Sequence, residues 1–151
     1  MISTSKLLQL QRLAKKELIQ SLHKYKVGAV IFKNGKIIST GYNVSKGTSA
    51  LARKYFQHAS MHAEITAVLR YMYHSDILKG ADIFVYRESI AGVPRLSKPC
   101  AMCVSVLQEM GIRRAYWSTD TFPHFDCAKV SDMFSKLNHR EVMNNNAKEG
   151  N

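Results

Sequence analysis

His62-Ala63-Glu64 and, beyond an interval of 34 residues, Pro99-Cys100-Ala101-Met102-Cys103 are the two stretches that decide how this chain reads. Zinc takes imidazole nitrogen and thiolate sulfur, and three protein ligands leave a fourth tetrahedral position for water. His62, Cys100 and Cys103 supply three such donors. Two residues between the cysteines place both sulfurs on one face of a helix, within reach of a single ion. Pro99 suits the first helical turn, where its missing N–H has no partner to lose, and the positive end of that helix favours the thiolate form the metal requires. Glu64 is expected to move protons to and from a water at the open position rather than to act as a fourth ligand.

Plainer readings compete with this one. An isolated C-x-x-C pair also serves redox chemistry, and an isolated helical His is commonly structural. A structural zinc site closes with four ligands. Here no second C-x-x-C exists and Cys127 is distant in sequence, so the combined pattern favours an open, catalytic site holding zinc.

A chain of 151 residues fits one domain with a substantial core. We place that domain at residues 1–143, with 144–151 as a frayed polar tail. The apolar runs fall short of a membrane span, the start Met1-Ile2-Ser3-Thr4-Ser5-Lys6 lacks the charged and apolar segments of a secretory leader, and three cysteines provide no disulfide framework. The expected location is cytoplasmic, without membrane contact. The net charge of +11 is uneven: residues 1–60 carry eleven Lys and Arg against one acid, Glu17, whereas residues 61–151 carry eleven against ten. Such an excess reads either as attraction to anionic partners, nucleotide phosphates or a nucleic-acid backbone, or as a solvated basic face that aids solubility.

Residues 5–22 have helical periodicity, with Leu10, Leu13, Ala14 and Leu18 on one stripe. Val27–Phe32 and Lys36–Tyr42 read as an antiparallel pair joined through Asn34-Gly35, a strong hairpin signal. Asn43, at the end of that pair, offers an acceptor and two donors to a ligand, or simply caps the turn. After a polar connection, Ile65, Val68, Leu69 and Met72 continue a helix begun at His62. Ala81–Tyr86 is expected as a strand, Arg87–Lys98 as a loop, and a helix through Cys103, Val106, Leu107 and Met110 stops at Gly111. Arg113–Ser118 reads as a fourth strand, and Val130, Met133, Phe134 and Leu137 as a short final helix. This order implies a mixed sheet with helices on both faces, with the starts of the two motif-bearing helices brought to one edge by right-handed crossovers.

In this order Lys26-Val27-Gly28-Ala29-Val30-Ile31, Gly41-Tyr42-Asn43, His62-Ala63-Glu64, Gly80-Ala81-Asp82-Ile83-Phe84-Val85 and Pro99-Cys100-Ala101-Met102-Cys103 through Gly111-Ile112 resemble the cytidine and deoxycytidylate deaminase superfamily over about residues 26–118. The resemblance implies an α/β fold, a three-layer α/β/α cytidine-deaminase-like arrangement around a roughly five-stranded mixed sheet. It also implies zinc as cofactor, hydrolytic release of ammonia, and a homo-oligomer. Asn43 and the backbone N–H of Ala63 match positions that contact the nucleoside and its base in such proteins. The substrate expected is a cytosine nucleoside or nucleotide, dCMP or a close relative above all. The alternative is a polynucleotide deaminase acting on cytosine in single-stranded DNA or RNA, or on adenosine in tRNA; a catalytically silent zinc module that binds nucleic acid is a third reading, opposed by Glu64. Glu88–Ser97 reads as an insertion before the cysteines, and the residues that mark the tRNA-adenosine and polynucleotide-cytosine branches are missing around Lys98. Lys46, Arg53 and Lys54, between Asn43 and His62, are the candidate phosphate-binding residues, with Tyr55 and Phe56 available for stacking.

Overall fold

Strands β1 (Val27–Lys33) and β3 (Asp82–Glu88) carry apolar runs, Val27–Phe32 and Ile83–Tyr86, because each is covered on both faces there. The computed structural model, which describes residues 2–44, 61–71 and 73–135, shows what covers them. On one face lies helix α1 (Thr4–Leu18), whose buried Leu10, Ala14 and Leu18 pack on Val30, Phe32, Phe84 and Tyr86. On the other lie α2 (Ala63–Leu69) and α3 (Ala101–Glu109), packed on Ala29, Ile31, Ile83 and Val85. Odd positions face one layer and even positions the other, as the period of two requires. A fully buried Leu contributes about 1.5–3 kcal/mol, so Leu10 and Leu18 hold α1 to the sheet. The three layers are those expected.

The sheet runs β2 (Lys36–Tyr42), β1, β3, β5 (Arg114–Ser118), β6 (Phe125–Lys129), and a two-residue strand β4 (Pro94–Arg95) pairs with the end of β3. β1 is antiparallel to both β2 and β3, whereas β3 and β5 are parallel, so the sheet is mixed. Asn34 and Gly35 make the β1–β2 turn with φ of 52° and 78°, the left-handed pair that a two-residue hairpin needs.

Two glycines set how closely the layers approach. A Cβ on Gly41 would lie 2.5 Å from the backbone nitrogen of Ala67 in α2, and one on Gly28 would strike the backbone carbonyl of Ala14 in α1. Each strand bears a helix backbone directly on its own.

Several sequence expectations need correction. The first helix ends at Leu18, not residue 22: Ser21 is buried and its hydroxyl donates to the Asn43 carbonyl (2.8 Å), pulling the chain toward the sheet edge. The 88–97 segment is not plain loop, since Arg87 pairs with Arg95 and Glu88 with Pro94. The expected helix from Val130 is a single 3-10 turn at Val130–Asp132, preceded by the unforeseen strand β6, antiparallel to β5. Leu137 and the 144–151 tail lie outside the described residues.

Candidate zinc centre and active-site cavity

His62 is the N-cap of α2 and Cys100 the N-cap of α3, so two of the three expected ligands stand at helix starts facing each other. Pro99 therefore precedes the cap instead of lying in the first turn. Its fixed φ still leads the chain into the cap, and Cys103 sits on the third helical residue, where its N–H donates to Cys100 Sγ (3.5 Å). His62 Nδ1 lies 3.7 Å from Cys100 Sγ and 3.3 Å from Cys103 Sγ, and the three donor atoms all fall within 4.8 Å of one another. Tetrahedral zinc with bonds near 2.1 Å to nitrogen and 2.3 Å to sulfur requires separations of about 3.5–3.8 Å between its ligands. The arrangement fits, and among the described residues this is the one His, Cys and acidic group that could hold a metal ion.

The electrostatics suit the same role. The Cys103 thiol and the His62 ring hold the Cys100 thiol down to about 4, while the hydrogen bond to Cys100 and burial push Cys103 up. The hydrogen bond to Cys100 raises His62 in turn. Metal binding requires both sulfurs as thiolates, so it displaces any proton that the buried Cys103 retains.

Glu64, the second residue of α2, is 4% exposed. Burial raises its pKa, against the opposing pull of His62. It faces a cavity of about 300 Å³ that His62, Cys100, Ala63 and Asn43 also line. The Asn43 amide is already engaged: Oδ1 accepts from the Val27 N–H (2.9 Å) and Nδ2 donates to the Tyr25 carbonyl (2.6 Å), so it clamps the approach to β1 as well as lining the cavity.

The structure also brings in residues that the motifs did not single out. His23, Tyr25, Arg87, Ser97 and Lys98 also line the wall. Arg87 was detectable in principle: it lies two residues beyond Val85 on one strand and therefore shares its face, but the expected strand stopped at Tyr86. Lys46, Arg53 and Lys54 lie outside the described residues.

The family model for the zinc-binding region of cytidine and deoxycytidylate deaminases matches residues 1–119. The chain belongs to this deaminase family. Zinc is the family's metal, and His62, Cys100 and Cys103 are the donors this chain offers it. Solved deaminases share the fold. A dCMP deaminase from cyanophage S-TIM5 is 20% identical with a TM-score of 0.57, over 80% of this chain and 88% of its own. A cytidine deaminase from Burkholderia pseudomallei is 22% identical with a TM-score of 0.60, over 87% and 95%. No curated protein sequence matches the chain. No helix of the deaminase's described residues is long and apolar enough to cross a membrane.

Proposed function

We propose that this deaminase converts a free cytosine nucleoside or nucleotide, dCMP or a close relative, to its uracil form. Water adds at the ring carbon bearing the amine, the C–N bond breaks, and ammonia leaves. The observation that carries the reading is Glu64, a buried carboxylate facing the cavity that His62 and Cys100 of the three-ligand group also line. A purely structural metal site has no use for such a group, whose burial is costly.

When bound, zinc supplies the electrostatic activation that lets water act as a nucleophile at neutral pH. Glu64 accepts a proton from the attacking water and delivers it to the departing amine, as a buried carboxylate whose proton affinity is raised by desolvation can do. The N–H of Ala63, at the start of α2, is proposed to meet the base near its carbonyl. Asn43 orients the 25–27 segment that forms the cavity wall, and its remaining amide proton is proposed to reach the sugar. At about 300 Å³ the cavity stands at the small end of ligand sites, a size that suits one nucleotide at a time. A cyanophage S-TIM5 dCMP deaminase in complex with dCMP and dUMP, 18% identical, shares this fold and lends support.

The test is turnover by the zinc-loaded protein on cytidine, deoxycytidine, CMP, dCMP and a cytosine-containing single strand. Ammonia release from the free compounds is expected. Turnover confined to the strand would replace this reading with the polynucleotide alternative.

A further inference from the structure

The cavity changes character along β3. Val85 is buried in the cluster that holds Ala63 and Cys103, and Arg87, two residues on, shares its face about 6.6–6.8 Å further along the strand. Arg87 thus lines the same cavity as His62 and Cys100 one side-chain step along the strand from Val85, a step comparable in length to the sugar that separates a base from its 5′-phosphate. Its backbone N–H donates to Ser118 Oγ (3.0 Å), and Arg87 pairs with Val27 across the sheet. The guanidinium lies 4.9 Å from the centre of the Tyr25 ring, a stack that leaves the in-plane N–H groups available. Among the described residues no carboxylate pairs with it. His23 and Lys98 line the same wall, and Glu64 is the single acid of the described lining.

We infer that Arg87, supported by His23 and Lys98, forms a phosphate subsite that makes the substrate a cytosine nucleoside monophosphate rather than a nucleoside. This rests on the proposed deaminase reading of the cavity. A planar fork that is half-buried, stacked and fixed at its backbone matches a terminal phosphate in two parallel hydrogen bonds.

The experiment is calorimetry on the full, zinc-loaded chain with dUMP and with deoxyuridine, alongside kcat/KM for dCMP and deoxycytidine. Wild type is expected to bind dUMP more tightly than deoxyuridine. Arg87→Ala should lower dUMP affinity about ten- to hundredfold, the loss typical of a charged hydrogen-bonding partner, and draw the ratio of the two affinities toward one. Arg87→Lys, which keeps the charge without the fork, should fall between, and it carries the test if the alanine variant does not fold. Equal binding of dUMP and deoxyuridine by wild type, or an equal loss for both ligands in the variants, overturns the subsite. A cytosine-containing single strand that binds more tightly than dUMP, with a log–log salt slope of several times about −0.7, overturns the monophosphate in favour of a polynucleotide backbone. The two readings fail separately. Arg87-dependent dUMP binding without turnover of any cytosine compound removes the deaminase and keeps the subsite, whereas equal kcat/KM for dCMP and deoxycytidine keeps the deaminase and removes the subsite.

Discussion

Gly41→Ala should damage the metal centre from a position that touches no ligand. The new Cβ would lie 2.5 Å from Ala67 N, 2.8 Å from Ala63 O and 3.0 Å from Ala67 Cα, against the roughly 3.5–4.0 Å that carbon contacts prefer. All three atoms are backbone of α2, so no side chain can swing aside, and the helix must move outward by about 1 Å. Overpacking of this kind costs about 1–3 kcal/mol, which for a chain of this length lowers Tm by about 2–12 °C. Because α2 carries His62 at its cap and Glu64 in its first turn, the same shift displaces a ligand and the proton carrier together. A misplacement of about 1 Å costs on the order of 10²-fold in rate. Gly28→Ala is the control: its Cβ meets the Ala14 carbonyl in α1, on the opposite face, and should destabilise at least as much while zinc affinity holds. Differential scanning calorimetry and competitive zinc titration of both variants decide the matter. If Gly41→Ala melts early yet binds zinc as tightly as Gly28→Ala, the proposed coupling of sheet, helix and metal is wrong.

Other substitutions probe the site directly. Cys100→Ala and Cys103→Ala should each remove the zinc and lower thermal stability, as metal analysis and melting with and without chelator will read. Glu64→Gln should retain zinc and fold while turnover falls about 10²–10⁴-fold; wild-type rates in that variant would end the proton-carrier role. Asn43→Ala removes the partners of the Val27 N–H and the Tyr25 carbonyl, at a cost of about 1–3 kcal/mol for groups left unsatisfied, so its melting temperature should drop along with its activity. An Asn43→Ala protein of wild-type stability with impaired turnover would assign the residue to substrate alone.

The parts legible in the sequence were those where one pattern had one cause. Asn34-Gly35 marks a hairpin because few residues accept two consecutive positive φ angles, and His62 and Cys100 announce a metal because their chemistry is specific. Apolar periodicity located α1, which buries one stripe of Leu10, Ala14 and Leu18; it also located α2 and α3, although both are buried on more than one face. Strand β6 was hidden because it lies at the sheet edge, where Asp126 and Lys129 face solvent and no alternation survives. Pro94–Arg95 was hidden because proline at an edge gives no strand signal. The end of α1 depended on Ser21 reaching Asn43, a contact 22 residues away that local propensity does not encode. Arg87 was obscured by a strand boundary placed at Tyr86, two residues short of Glu88, which concealed the parity that sends it into the cavity.

The central claim is hydrolysis at a cavity served by zinc and Glu64, and dCMP turnover in water enriched in oxygen-18 tests it most directly. Mass spectrometry of the product from the zinc-loaded protein should find a single labelled oxygen per dUMP, with ammonia formed in equal amount and both formed about 10²–10⁴-fold more slowly in Glu64→Gln. Unlabelled dUMP, or no product from a fully zinc-loaded, folded chain offered cytosine nucleotides and nucleosides, would contradict the account.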